Sequence, residues 1–290
     1  MKRHLRFLQA ALATLLLWCA LPAVAGELPP LSLADAKAKQ AVILDTRASY
    51  FYQGWPMEGE KQGGHVAGAE NLSAEWKYSD EEWPKALEIK GLKADRPVAL
   101  YGASREVAEV ARLLRKQGIK QLFELQGWQV APRESLARWQ QLVYPRWLAD
   151  LQEGKPVAAA PKGDWKLFEV DWGSPKAYLI SHIPGAGYID TNSLEEEPLW
   201  NKVSDEALKK LLLDNGIRHD TTVILYGRNT MAAARAAHLM MYAGVEDVRL
   251  LDGGLDAWFI QHLRTETGLP NKYEPVKEFG VAIPAHPEYY

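Results

Sequence analysis

Apolar residues fall in short runs separated by helical patterns, and the alternation occurs twice along the chain. Ala41–Leu44 and Val98–Tyr101 are apolar runs of strand length, and between them Ser79 with Glu82 three residues on predicts a capped helix. Val107, Val110, Ala111 and Leu114 share one face of an amphipathic helix that Gly118 ends, and Leu122–Leu125 predicts a further strand. In the second half Ser204 caps a helix that Gly216 ends, and Val223–Tyr226 predicts a strand. Met231–Ala243 is a helix apolar almost all round, hence buried, and Val248–Leu251 is again a strand. Apolar strands joined by helices predict right-handed β-α-β units, parallel sheets covered on both faces, and an α/β fold class.

Four landmarks show that the second half repeats the first. Asp45 pairs with Asp171, Gly64–Ala69 with Ser181–Ala186, Leu100-Tyr101-Gly102 with Leu225-Tyr226-Gly227, and Gly118 with Gly244, at offsets of 126, 117, 125 and 126. A period this long marks duplicated domains, because solenoid repeats run about 20–50 residues. The first domain is expected over 27–146 and the second over 147–271, with a connecting stretch around 149–163. Residues 272–290, with Pro275, Pro284 and Pro287, lack periodicity and read as a tail or linker.

The N-terminus changes the compartment. Lys2, Arg3 and Arg6 precede an almost wholly apolar Phe7–Leu21, and Ala23-Val24-Ala25 is a small-x-small cleavage site before Gly26. Residues 1–25 therefore read as a secretory signal peptide, and the mature protein as exported, periplasmic and free of the membrane. Without the three basic residues of the signal, 31 Lys and Arg stand against 37 Asp and Glu, a formal charge of −6 that argues against nucleic acid as a partner. The chain's single cysteine, Cys19, leaves with the signal. The mature chain then has no disulfide, no cysteine–zinc site and no thiolate nucleophile.

The ordered set of motifs resembles the rhodanese family of sulfurtransferases: a strand ending in Asp, a Gly/Ser-His-x-x-Gly-Ala element, a strand–loop–helix after Leu-Tyr, and Leu251-Asp252-Gly253-Gly254-Leu255-Asp256-Ala257-Trp258, with a weaker Leu125-Gln126-Gly127-Trp128 in the first copy. The resemblance covers nearly all of the mature chain, and is narrowest to the exported tandem-domain type, whose longer members carry three modules with the reactive cysteine in the last. It implies two tandem rhodanese-like domains, no cofactor, and transfer of a sulfane sulfur from a donor such as thiosulfate through a cysteine persulfide. That cysteine position falls on Gly102 in one copy and Gly227 in the other, so neither domain as written can form the persulfide.

Two readings of these loops stay open. In one they are anion-binding cradles in which backbone N–H groups, with Ser104, Arg105, Arg228, Asn229 and Thr230, would hold thiosulfate or a similar anion. In the other they are degenerate turns kept for their geometry, with glycine tolerating a positive φ. The chain is accordingly expected to be a truncated or scaffold form working with a catalytic partner domain or chain, or else an exported binding or interaction protein for a small sulfur oxyanion or a partner protein. His65 and His182 lie in separate repeats with no second ligand at metal spacing, and read as histidines bonded within their own loops. Asp45 and Asp171 read as strand-end residues that bond nearby backbone N–H groups. The tryptophans, among them Trp55, Trp139, Trp147, Trp172, Trp200 and Trp258, are expected to fill the core and the interface between repeats.

Overall fold

Each apolar run becomes a strand of one of two parallel sheets in the structure, a computed structural model that describes residues 28–290. The expected signal peptide lies outside the described residues. The first module contains β1 (Pro30–Ser32), α1 (Leu33–Ala38), β2 (Val42–Asp45), α2 (Ser49–Gln53), β3 (His65–Val66), β4 (Glu70–Asn71), α3 (Trp83–Ile89), β5 (Val98–Tyr101), α4 (Ser104–Lys116), β6 (Leu122–Gln126) and β7 (Arg133–Glu134). Its sheet has the order β1-β6-β5-β2-β4, all parallel, with β3 and β7 forming a separate antiparallel pair.

The second module contains β8 (Leu142–Val143), α5 (Pro145–Gln152), β9 (Trp165–Asp171), α6 (Lys176–Ile180), β10 (Gly187–Asp190), β11 (Glu195–Glu196), β12 (Asn201–Lys202), α7 (Asp205–Asp214), β13 (Thr222–Tyr226), α8 (Thr230–Ala243), β14 (Asp247–Leu251) and α9 (Gly254–Ile260). Its sheet, β10-β9-β13-β14-β8, repeats the first strand for strand. The helix periodicities hold. Val107, Val110, Ala111 and Leu114 are the buried face of α4, and Ser204 accepts the Ala207 N–H at 3.2 Å as the cap of α7. Helix α8 is buried along most of its length, although Met231 at its start is exposed. Ser79 does not cap α3 directly; its N–H donates to Glu82 across a turn, and the helix begins at Trp83.

Three boundaries differ from the sequence expectation. The second sheet takes its edge strand, β8, from residues ahead of 147, because Leu142 and Val143 pair with Leu250 and Leu251. The stretch 149–163 does not join the modules: it finishes α5 and lies against the second, where Ala158 O accepts from Trp147 Nε1 at 2.8 Å and Ala159 O from an Arg249 guanidinium N–H at 2.7 Å. Residues 272–290, read as a tail or linker, do not hang free. They run back over the second module, with Phe279 buried, the Val276 N–H bonded to Leu213 O and the His219 N–H bonded to Phe279 O. The irregular backbone of this strap finds its partners in loops and helix ends, which no periodicity signals.

The modules meet through an aromatic cluster supplied by a segment that only the first one has. Residues 54–63 lengthen the loop between α2 and β3, and they place the fully buried Trp55 against Trp139, Tyr144 and Trp147. Trp55 Nε1 donates to Leu142 O at 2.8 Å, and Tyr50 stacks on Tyr144 with ring centroids 4.0 Å apart. Trp172 and Trp200, by contrast, lie on the surface, edge to face. Truncating Trp55 empties the middle of the junction, so Trp55→Ala is expected to lower unfolding stability by about 3–5 kcal/mol, read as a reduced urea midpoint. An unchanged midpoint would show that the cluster does not hold the modules.

Candidate functional site

The site the sequence points to lies where β5 and β13 end and the chain turns into α4 and α8. Under each turn sits a carboxylate without solvent exposure: Asp45 at the end of β2 and Glu169 in β9. Strand register makes these two the equivalent pair, since Asp45 lies opposite Tyr101 and Asn71, and Glu169 lies opposite Tyr226 and Tyr188. The repeat partner of Asp45 is therefore Glu169, not Asp171, at an offset two residues shorter than the sequence alignment gives. Asp45 and Asp171 do bond backbone N–H groups as expected, those of Arg47 and Trp172, at 3.0 and 2.9 Å.

A buried carboxylate needs donors and a counter-charge. In the first module Arg47 supplies both, with Nε 2.9 Å from Asp45 Oδ1 and Nη2 2.6 Å from Oδ2, and it also donates to Gly64 O at 2.7 Å. Burial by itself would lower the Arg47 pKa, but its bond to Asp45 and that residue's charge reverse the effect and raise it. The Tyr101 hydroxyl donates to Asp45 at 2.8 Å and accepts the Val66 N–H at 2.9 Å. Burial first, and the neighbouring Asp45 charge second, hold that phenol far above its ordinary pKa.

In the second module the arginine comes from the opposite side of the knot. Arg228 leaves the loop after β13 and turns inward, with Nε 3.0 Å from Glu169 Oε1 and Nη2 bonded to the Ala177 and Ser181 carbonyls of α6 and its end. Tyr226 accepts the Ile183 N–H at 3.1 Å, as Tyr101 accepts that of Val66. Glu169 Oε2 is buried without a hydrogen-bond partner. Desolvation raises the Glu169 pKa, against the pull of the Arg228 charge.

The remaining candidates are not drawn together into an anion cradle. The N–H of Ala103, ahead of α4, is taken by Glu106 at 2.9 Å, so a carboxylate already lies at that helix start. Arg105 is exposed on α4, beside Lys77 and Arg112 but also Glu75, Glu106 and Glu109, so its surroundings carry no excess of positive charge. Ser104 opens α4 and is exposed. Asn229 caps α8 by accepting the Met231 N–H at 2.9 Å, and Thr230 is the helix's first residue, also exposed.

The glycines explain why no side chain stands at either turn. Gly102 has φ +149°, and a Cβ there would lie 2.4 Å from Thr46 Oγ1 and 2.9 Å from Glu106 Oε2. At Gly227 a Cβ would meet backbone, Asn229 O at 2.5 Å and Val170 O at 3.0 Å. Gly254 brings the start of α9 against the same turn: the Leu255 N–H bonds Gly227 O at 3.2 Å, and a Cβ on Gly254 would lie 2.4 Å from that oxygen. The two histidines sit as expected within their loops. His65 stacks on Tyr52 and bonds Tyr52 O, and His182 does the same with Tyr178, each at 2.8 Å.

Sequence reasoning missed Arg47, Glu169 and the tyrosine hydroxyls. The signal available was the tyrosine itself, repeated at the last position of two otherwise apolar strands, where a buried hydroxyl requires a partner. Removing Arg228 leaves Glu169 buried without its counter-charge, so Arg228→Met is expected to lose roughly 3 kcal/mol at pH 7.5. A carboxyl whose folded pKa is raised binds more protons folded than unfolded, so its cost grows as pH rises through that window and fades as pH falls. Urea unfolding at pH 5 should therefore show a smaller loss than at pH 7.5; an equal loss at both would remove Glu169 from the account.

A family model for the rhodanese-like domain matches residues 30–129 and 145–261. The chain is 50% identical to the thiosulfate sulfurtransferase YnjE of Escherichia coli (strain K12) over 292 aligned positions, covering 99% of this chain and 67% of that protein. It is 36% identical over 143 positions to the putative thiosulfate sulfurtransferase SseB of Mycobacterium tuberculosis, covering 46% of this chain and 48% of that one. The crystal structure of YnjE superposes with a TM-score of 0.87 at 51% identity, covering 92% of this chain and 65% of that chain. Wild-type EanB superposes with a TM-score of 0.82 at 30% identity, covering 91% and 67%. The chain thus spans between about half and two thirds of the length of these relatives.

Proposed function

Because this chain belongs to the rhodanese family and is related to thiosulfate sulfurtransferases, we propose that it takes part in sulfane-sulfur handling as a pair of non-catalytic modules, with the persulfide-forming cysteine supplied by another domain or chain. A persulfide forms when a thiolate attacks the donor's sulfane sulfur, and a hydroxyl such as that of Ser104 or Thr230 has no sulfur with which to do so. The observation that carries the reading is steric. A Cβ would meet the Asn229 and Val170 carbonyls at Gly227, and the Thr46 hydroxyl and Glu106 carboxylate at the positive-φ Gly102, which supports a structural use of each loop.

The rival reading, an exported carrier of thiosulfate or sulfite, has less behind it. One amide of each turn is already bonded, that of Ala103 to Glu106 and that of Met231 to Asn229, and Arg228 is committed to Glu169. The proposed role places the protein in the periplasm, a reading supported by Lys2, Arg3 and Arg6, the apolar Phe7–Leu21 and Ala23-Val24-Ala25. The mature N-terminus should then be Gly26, measured by intact mass of protein recovered from a periplasmic extract. A product retaining Met1 in the cytosol would contradict export.

Thiosulfate:cyanide sulfurtransfer by the purified chain is expected to stay at the uncatalysed background. Gly227→Cys is expected to remain inactive and to melt at a lower temperature, since its side chain must displace the Asn229 and Val170 carbonyls. Turnover by the unmodified chain would overturn the non-catalytic reading, and turnover by the variant alone would show that the loop can still form a cradle.

A further inference from the structure

The second module carries a cavity of about 510 Å³ that none of the residues of the Gly102 or Gly227 turns lines. It opens beside the first residue of β9, at the opposite end of that strand from the Gly227 turn. Trp165, Leu167, Trp258, Leu263, Tyr273 and the exposed Arg264 are among the residues that line it. Two of the elements that build it have no counterpart in the first module: α9, where that module has only a three-residue helical turn at Trp128–Val130, and the strap that carries Tyr273. The cavity is therefore something the second copy has and the duplication alone does not explain.

Its walls are fixed before any ligand arrives. The Tyr273 hydroxyl accepts the Leu167 N–H at 3.0 Å and lies 3.2 Å from both the Leu167 and Gly185 carbonyls. Trp258 Nε1 donates to Arg264 O at 2.9 Å, which ties the arginine's backbone to the wall. The charges around the cavity are not equivalent. Glu153 at the rim is held by Lys155 at 2.6 Å, whereas the Arg264 guanidinium has no carboxylate partner among the described residues. An aromatic-walled space of a few hundred Å³ with a few polar groups is the usual form of a small-molecule site; of the three here, Gln152 is bonded to Pro184 O at 2.7 Å and Glu153 to Lys155, which leaves the Arg264 guanidinium to select a carboxylate.

We propose that this cavity binds a small aromatic carboxylate, its ring against the half-buried Trp165 and Tyr273 and its carboxylate on Arg264. The proposal goes beyond the sulfur-handling reading and does not depend on it. The test is isothermal titration of the purified chain with 3-phenylpropanoate, beside 3-phenylpropylamine as the cation of the same shape. Saturable one-to-one binding of the carboxylate but not the amine is expected, weakened roughly tenfold or more in Arg264→Gln, which loses one charge-assisted contact. Leu263→Trp, which fills the space and leaves Arg264 in place, should abolish it, with a thermal melt confirming that each variant is folded. No saturable heat at millimolar carboxylate, equal binding of the amine, or an affinity unchanged in both folded variants would overturn the proposal.

Discussion

A carboxylate cut off from water must be answered by donors within reach, and in both modules that demand organises the end of the sheet where a rhodanese turn lies. Asp45 and Glu169 sit fully buried beneath the turns, each opposite a tyrosine that closes the neighbouring strand. Each tyrosine hydroxyl reaches the backbone N–H after a loop histidine, which ties the Gly/Ser-His-x-x-Gly-Ala element to the sheet. An arginine completes each knot. Because an unpaired buried charge costs several kcal/mol, the arginine in each module has one place to be, and the turn is built around it.

The two modules meet the same demand by different routes, and their loops differ accordingly. In the first, Arg47 comes from two residues beyond the strand that carries the acid, leaving the turn at Gly102 free to be tightened by Thr46 and capped by Glu106. In the second, the turn donates its own arginine. Arg228 is drawn under the loop toward Glu169 and α6, and Gly254 presses the start of α9 against Gly227. A side chain at either turn would have to displace its neighbours, the Thr46 hydroxyl and Glu106 carboxylate at Gly102 and the Asn229 and Val170 carbonyls at Gly227.

Much of this was legible in the sequence. Strand and helix periods placed most of the elements they predicted within a residue or two, the helix expected after Ser79 starting only at Trp83, and the repeat of Leu-Tyr-Gly located both turns. What escaped it has physical causes. Residues 272–290 bond to helix ends and loops, so no period marks them as part of the second module, and the edge strand β8 is too short to be seen as a strand. The offset of Asp45 pointed to Asp171 because both close an apolar run before a turn; only the pairing with Tyr226 shows that Glu169 is the buried acid. The direction of Arg228 was equally hidden, since an arginine beside a glycine turn faces an anion or a buried carboxylate with the same spelling.

Both turns act as structural junctions, with the Ala103 and Met231 amides taken by Glu106 and Asn229 and Arg228 drawn to Glu169. The most direct measurement follows the backbone amides of Gly102, Ala103, Ser104, Arg228, Asn229 and Met231 by nitrogen–proton correlation NMR during a thiosulfate titration. The account gives no saturable shift at any of them up to millimolar thiosulfate. A saturating shift confined to one of these turns would contradict it.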